Sequence, residues 1–301
     1  MSITNVSTFG SLQTLLQNMN VVQTDLNNDS EEVSSGLKGQ TFDAINGSVE
    51  QFTSLNAQVA RLQDYQQNNS VVVSQLNTTN TVLGQIEQVA TNVKGLIAAQ
   101  TSGTTSVASF QQQIQANLSS IAGSLNTTFE GNYIFGGTKN DTPPVTTPVP
   151  ATVQTGVPDA SYYMGSSQDS TIRISDNQTI PNSIRADDPS FQQIIAGINE
   201  AMQASASNNT AQLQDAENLV STGIQGVIAL QSTANANIVT VQNVDTQSQT
   251  LQTYYQGLTT SISQSDVVSL STQVAQDQSV LEATYSTFAR ISSLSLVNYL
   301  K

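Results

Sequence analysis

Three residue types are missing altogether from this 301-residue chain: cysteine, histidine and tryptophan. Without thiols there is no disulfide and no cysteine nucleophile. Without imidazole there is no Ser-His-Asp triad and no His-ligated zinc site. Cysteine usage therefore leaves the redox compartment open. Charge is also scarce: Asp, Glu, Lys and Arg make up 10% of the chain, against about 25% in ordinary globular domains. What charge there is, is mostly negative, with 8 basic residues against 22 acidic ones and a formal net charge of −14. Such a chain is a poor binder of nucleic acid and is repelled by anionic membrane surfaces. No stretch approaches the ~18 consecutive apolar residues of a membrane-crossing helix. Met1 to Val6 lacks the charged and apolar regions of a secretory signal peptide, so none is expected.

Apolar residues account for 37% of the chain, below the usual ~45–50%, with Gln, Asn, Ser and Thr in their place. A chain of this composition can bury long narrow seams but not a large globular core, and seams suit helices laid side by side.

Proline is confined to one region. All seven prolines lie between Pro143 and Pro189, leaving 1–142 and 190–301 free of them. A proline inside a helix costs about 3 kcal/mol or more, so two long proline-free flanks permit long helices and the cluster marks a different middle segment. The flanks carry helical periodicity. Phe9, Leu12, Leu16, Met19, Val22, Leu26, Val33 and Leu37 step mostly by three and four near one end. Val267, Leu270, Val274, Leu281, Phe288 and Ile291 do so near the other, with Asp277 and Thr284 in the skipped slots. Leu76, Leu83, Ile86, Ala90, Val93 and Ile97 repeat the pattern, as do Val227, Leu230, Ala234, Val241, Val244, Leu251, Tyr255, Leu258 and Ile262. An ordinary helical bundle would explain all of this. The terminal seams, however, are narrow and reach both chain ends, so they are expected to bury against the opposite terminus or a neighbouring subunit.

The middle reads as turn and extended chain from Thr142 to Pro150, with short alternating strands over Ser161–Gly165 and Thr171–Ser175. Asp188 fits a helix N-cap and Pro189 the first helical position. Gly131 to Lys139 (Gly-Asn-Tyr-Ile-Phe-Gly-Gly-Thr-Lys) is a poor phosphate loop, because such loops end in Gly-Lys-Ser/Thr. The better reading is a junction turn: Gly131 stops a helix, Tyr133 and Phe135 share a face, and Gly136-Gly137 turns. The adjacent acids Glu31-Glu32 do not share a helix face, and Asp187-Asp188 is better explained by the cap. Nothing spaces two carboxylates as a glycosidase requires, and no Asp-x-Asp-x-Asp-Gly calcium loop is present. The expectation is no enzyme, no cofactor and no metal.

Three stretches carry a family resemblance. Val33-Ser34-Ser35-Gly36-Leu37-Lys38 resembles the Ser-Ser/Thr-Gly-x-Lys/Arg element after the first helix of bacterial flagellins. Gly131 to Thr138 resembles the Gly-Arg-Tyr-Leu/Ile-Phe-Ala/Gly-Gly turn of that family's hook–filament junction type, and Leu294-Ser295-Leu296-Val297-Asn298-Tyr299-Leu300 resembles its ending. The resemblance covers about 1–142 and 190–301. Two departures stand out. Gly39 to Ile45 lacks the family's Asp-Asp-Pro, and Ile86 to Val93 lacks the arginines of flagellins sensed by the animal innate receptor.

The resemblance implies a mainly α fold: a long antiparallel helical rod with coiled-coil termini and a small β-rich insert domain. It implies a terminal coiled-coil domain (1–40 with 263–301), a rod domain (41–137 with 190–262) and an outward insert (138–189). Function follows as a structural subunit of the flagellum, outside the cell, exported by the flagellar type III route without a cleaved signal peptide. Its partners would be the hook-side junction protein, flagellin, further copies of itself in a ring, and an export chaperone or gate, with neither nucleic acid nor membrane. The assembly interface would lie along Phe9, Leu12, Leu16, Met19, Leu26, Val274, Leu281, Phe288, Ile291, Leu294, Leu296 and Tyr299. The domain-junction turn would be Gly131, Tyr133, Phe135, Gly136 and Gly137. The other readings are a filament-forming flagellin, or a surface module that binds a glycan or host ligand through the insert. In the free chain the two ends, roughly 1–40 and 265–301, are expected to be disordered.

Overall fold

The computed structural model describes residues 3–39, 45, 47–150 and 157–299, with 3–9 and 293–299 by backbone alone. The chain is mainly α, as expected. Its order is α1 (Ile3–Ser35), α2 (Val49–Thr101), α3 (Val107–Leu125), β1 (Thr128–Phe129), β2 (Asn132–Tyr133), β3 (Thr171–Ser175), β4 (Gln178–Pro181), α4 (Pro189–Ser207), α5 (Thr210–Ser263) and α6 (Val267–Tyr299). The absence of proline from the flanks is what allows helices as long as α2 and α5. The strands form two separate antiparallel hairpins, β1–β2 and β3–β4. Two compact units result, one of 1–61 with 251–301 and one of 62–250.

In the first unit, α1 packs against α6. The chain enters and leaves the pair through matched backbone bonds: Lys38 donates to the Ser263 carbonyl (2.8 Å) and Ser265 to the Gly36 carbonyl (3.0 Å). Leu37 and Gln264 form an antiparallel bridge, so the helices run antiparallel.

The second unit holds the main core. Leu83, Ile86, Ala90, Val93 and Ile97 of α2 meet Phe110, Ile114, Leu118 and Ile121 of α3, Phe191, Ile194 and Ile198 of α4, and Leu213, Ala216, Val220 and Val227 of α5. Polar bonds set the register of α2 against α5. Asn69 donates to Asp245 (2.7 Å), Asn80 to Asn235 (3.1 Å), Gln231 to Glu87 (2.9 Å) and Lys94 to Ser221 (3.2 Å). Each step up α2 is matched by a step down α5, so these two helices are also antiparallel. Of the α5 seam read from the sequence, Val227, Ala234, Val241 and Val244 are buried, but Leu251 is 37% exposed and Ser248 is buried instead. A straight helix drifts relative to a 3.5-residue repeat, which carries Leu251 off the inner face.

Helices α4 and α5 approach closely at three glycines, Gly197, Gly223 and Gly226, the first two against backbone carbonyls. A Cβ on Gly197 would stand 2.8 Å from the Ala216 carbonyl oxygen, and one on Gly223 would stand 2.7 Å from that of Ser190. The start of α4 follows the sequence reading: the Asp188 carboxylate accepts from the Ser190 amide (2.9 Å) and Pro189 takes the first turn.

The middle segment corrects one strand and keeps the other. Thr171–Ser175 is β3, paired with β4. Ser161–Gly165 is no strand; it makes a single bridge, Val145 to Tyr163. Its alternation is used otherwise. Tyr162 is buried and donates to the Ala186 carbonyl (2.7 Å), while the Tyr163 hydroxyl turns back to the Ser166 carbonyl (2.8 Å). A continuous neighbouring strand is what a period of two needs in order to become sheet, and this segment has none.

Candidate assembly surfaces

On α6, the residues between 267 and 292 that are not fully exposed are Leu270, Val274, Asp277, Leu281, Thr284, Phe288 and Ile291. They step by four and three without exception. On α1 the corresponding stripe is Leu12, Leu15, Met19, Val22, Leu26, Asp29 and Val33, flanked by half-buried Gln23 and Glu32. Alternate steps of three and four keep one narrow face of each helix turned to its partner. Met19, Leu26 and Leu281 are its buried centre.

The predicted interface residues distribute unevenly about that stripe. Leu12, Val274, Phe288 and Ile291 are half-buried in it. Leu16 is 44% exposed and lies off it, and the inward residue of that turn is Leu15. The heptad count explains the difference, since Leu12 and Met19 are one heptad apart and the intervening slot is three residues on, not four. The side chains of Phe9, Leu294, Leu296 and Tyr299 lie outside the described residues. Apolar side chains also remain on the outer faces of the same helices: Val21 is 55% exposed, Val268 80% and Tyr285 51%.

The domain-junction residues lie together in the second unit, though Gly131 has a different role from the one expected. Helix α3 ends at Leu125 with Asn126 as its cap, so Gly131 stops no helix. Glu130 (φ +50°) and Gly131 (φ +84°) form the two-residue turn of hairpin β1–β2, both in the left-handed region that such turns require. Tyr133 is half-buried and Phe135 fully buried. The Phe135 ring meets Phe191 edge-on at 6.1 Å, and its carbonyl accepts from the Ala186 amide (2.9 Å). Gly136 and Gly137 turn the chain, with Gly137 at φ +67° and the Lys139 amide bonded to the Gly136 carbonyl (3.3 Å). This turn thus ties the segment after α3 to the first residues of α4.

Sequence reasoning missed how the β3–β4 hairpin is held. Asn69 of α2, fully buried, donates to the Ile174 carbonyl (3.0 Å) as well as to Asp245. Tyr65 reaches Asp176 (3.0 Å), and Asn182 reaches Gln75 (3.1 Å). These are polar residues at polar-looking helix positions, and no local signal distinguishes them from solvated neighbours. Nearby, Arg185 bridges Asp169 (2.7 Å) and Asp187 (2.8 Å). A cleft of about 260 Å³ lies between α2, the β1–β2 hairpin and the β3–β4 hairpin, with Gln75, Tyr133, Asn140 and Asn182 on its walls. Among the described residues, no acidic cluster is arranged to hold a metal ion. Within the same residues, no helix is long and apolar enough to cross a membrane.

Comparison with known proteins agrees with this architecture. By sequence, no curated protein matches. By structure, the chain is similar to a flagellar hook-associated protein from Vibrio parahaemolyticus, with TM-score 0.60 and 15% identity over 71% of this chain and 96% of that one. It is similar to FlgL of Bacillus cereus (TM-score 0.54, 16% identity, 68% and 96% covered) and to FlgL of Xanthomonas campestris (0.52, 11%, 68% and 98%). At these identities the likeness is one of fold. Residues 6–140 match the bacterial flagellin N-terminal helical region. The chain thus has the fold of these flagellar proteins, and its residues 6–140 are similar to the N-terminal helical region of bacterial flagellins.

Proposed function

We propose that this chain is the subunit that joins the flagellar hook to the filament, and that it acts by packing rather than by catalysis. The observation that carries the reading is the fold it shares with hook-associated proteins over nearly their whole length. The Leu294 to Leu300 ending, which resembles that of the junction type, adds to it. In this reading the terminal pair (1–40 with 263–301) is the assembly domain, 41–137 with 190–262 the rod, and 138–189 an outward insert. The outer faces of α1 and α6, with Leu16, Val21, Val268 and Tyr285 exposed, meet neighbouring copies in a ring, the hook-side protein and the first filament subunits. The chain reaches that place unfolded, through the flagellar type III channel and with an export chaperone. Its low apolar content favours an unfolded passage.

Labelling with antibody on isolated flagella tests the reading. A single narrow band at the hook–filament boundary is the expected image. Label along the entire filament would favour the second reading, a filament-forming flagellin, which the general flagellin match over 6–140 also supports. Purified chain added to filament seeds separates the two: only the flagellin grows long filaments. Removal of 281–301, or Leu294→Asp, should abolish attachment to hooks while the second unit keeps its melting transition.

A further inference from the structure

The cleft between α2 and the two hairpins has walls of one consistent chemistry. Its volume of about 260 Å³ suits a single six-membered sugar ring, since drug-sized ligands take clefts of about 300–1,000 Å³. Its polar groups are neutral amides and hydroxyls: Gln75 from α2, Asn132 and Asn140 from β2 and the chain after it, and Ser170, Asn182 and Ser183 flanking β3–β4. Between them stand Val71, Phe129, Ile172 and half-buried Tyr133. Glu130 is the single charged residue of the walls, and no Lys or Arg is among the described residues that line them. Bonds within the chain hold these walls in place. Asn182 donates to Gln75 Oε1 (3.1 Å), which fastens the chain after β4 to α2. The Asn182 amide donates to the Ser170 carbonyl (2.8 Å), and the Ser170 amide to the Ser183 hydroxyl oxygen (2.8 Å). The Tyr133 amide donates to the Asn140 carbonyl (2.9 Å). These bonds leave the Gln75 amide hydrogens and the Ser183 hydroxyl hydrogen to donate elsewhere.

We propose that this cleft binds one neutral pyranose residue, with Gln75, Asn132, Asn140 and Ser183 bonding its hydroxyls and the apolar wall covering a C–H face. Amides and hydroxyls donate and accept at once, as do the neighbouring hydroxyls of a sugar. The C–H face that those hydroxyls leave bare needs an apolar surface, and a tyrosine supplies one that also carries a polar tip. An anionic ligand would find no cation there, and Glu130 with the chain's formal charge of −14 repels it. A cationic ligand would meet one exposed, solvated carboxylate, which contributes little. Asn132 and Asn140 are exposed, so the cleft is open on their side and the bound ring can end a longer saccharide. The walls come from α2 as well as from both hairpins, so the insert alone does not make the site. Every wall lies within the second unit, and the proposal therefore stands apart from the junction reading.

Saturation-transfer NMR on the full chain tests it. The probes are D-glucose, D-galactose and N-acetyl-D-glucosamine, with glucose 6-phosphate as the charged comparator. A ligand of this size in an open cleft should bind with a Kd of about 1 mM. At least one neutral sugar should give a saturable signal, and glucose 6-phosphate should bind several-fold more weakly than glucose. Val71→Arg sets a long side chain on the cleft wall at a position already 44% exposed, where arginine suits a helix. It should abolish the signal while the melting transition is kept. Gln75→Ala should weaken binding several-fold. Because it also removes the partner of Asn182, its fold is checked by circular dichroism, and Val71→Arg decides should it not fold. Tyr254→Ala removes a 60% exposed ring from outside the cleft and should bind as the natural chain does. The proposal is overturned if none of the three neutral sugars binds saturably well above the expected Kd. It is equally overturned if Val71→Arg leaves the signal intact, if folded Gln75→Ala binds as tightly as the natural chain, or if glucose 6-phosphate binds as tightly as glucose. Loss of the signal in Tyr254→Ala would place the sugar elsewhere and overturn it too.

Discussion

Adding one methyl group should have opposite effects at different glycines of the second unit. Replacing glycine by alanine in a helix interior gains about 0.5–1 kcal/mol, because alanine has less backbone freedom to lose on folding. At Gly95 of α2 and Gly123 of α3, both exposed, the new Cβ would find nothing within 4 Å. That gain should be realised in full. At Gly223 the Cβ would lie 2.7 Å from the Ser190 carbonyl oxygen and 2.5 Å from Ile194 Cγ1. At Gly197 it would lie 2.8 Å from the Ala216 carbonyl oxygen and 2.7 Å from Val220 Cγ2. A carbonyl in a helix cannot swing aside as a side chain can, so α4 and α5 must separate. Overpacking of this kind costs about 1–3 kcal/mol, which outweighs the propensity gain. Gly223→Ala and Gly197→Ala should therefore lower stability by up to about 2 kcal/mol, and Gly95→Ala and Gly123→Ala should raise it by up to about 1 kcal/mol. Urea unfolding followed by circular dichroism, with the slope checked for constancy, reads the difference as a shift of midpoint. If Gly223→Ala proved as stable as Gly95→Ala, the close approach of α4 and α5 would not be a constraint and the argument would fail.

Further outcomes follow from the same structure. Phe135→Ala should cost about 3–5 kcal/mol, because the ring is fully buried and stacked edge-on to Phe191, and the loss would be read in urea unfolding. Should it come out below 1 kcal/mol, the junction turn would not be tied into the core. Asn69→Ala removes the donor to both Asp245 and the Ile174 carbonyl, and should cost about 2–3 kcal/mol. Proteolysis within 171–181 should quicken in that variant, and an unchanged digestion pattern would show that the hairpin is held by other means. Burial, with the Asp187 charge adding to it and Arg185 opposing it, pushes the Tyr163 hydroxyl up to about 12. The stability this group contributes is present below its unfolded value of about 10 and is lost as pH rises through the folded one. Tyr163→Phe should remove that part of the alkaline loss, as measured by thermal melts across the range. An identical alkaline profile in the two proteins would refute the assignment.

Much of this protein is decided by local chemistry and can be read from the residues in order. Two proline-free flanks with apolar residues at three- and four-residue steps permit little besides long helices. The proline cluster between Pro143 and Pro189 can only interrupt them. The start of α4 at Asp188-Pro189 and strand β3 are equally local, since a cap needs only its own turn and a hairpin only its neighbour. Tertiary structure decided the rest. Leu15 rather than Leu16 turns inward because a seam is defined by the helix it meets, and both leucines suit a helix equally well. Gly131 closes a hairpin because its φ of +84° is set by the pairing of Thr128 with Tyr133. Ser161–Gly165 alternates like a strand but pairs at a single bridge, Val145 with Tyr163, and Tyr162 enters the core. Asn69 looks like an ordinary surface residue of a polar helix. What makes it a clasp is the hairpin packed opposite, whose Ile174 lies 105 residues away in the chain.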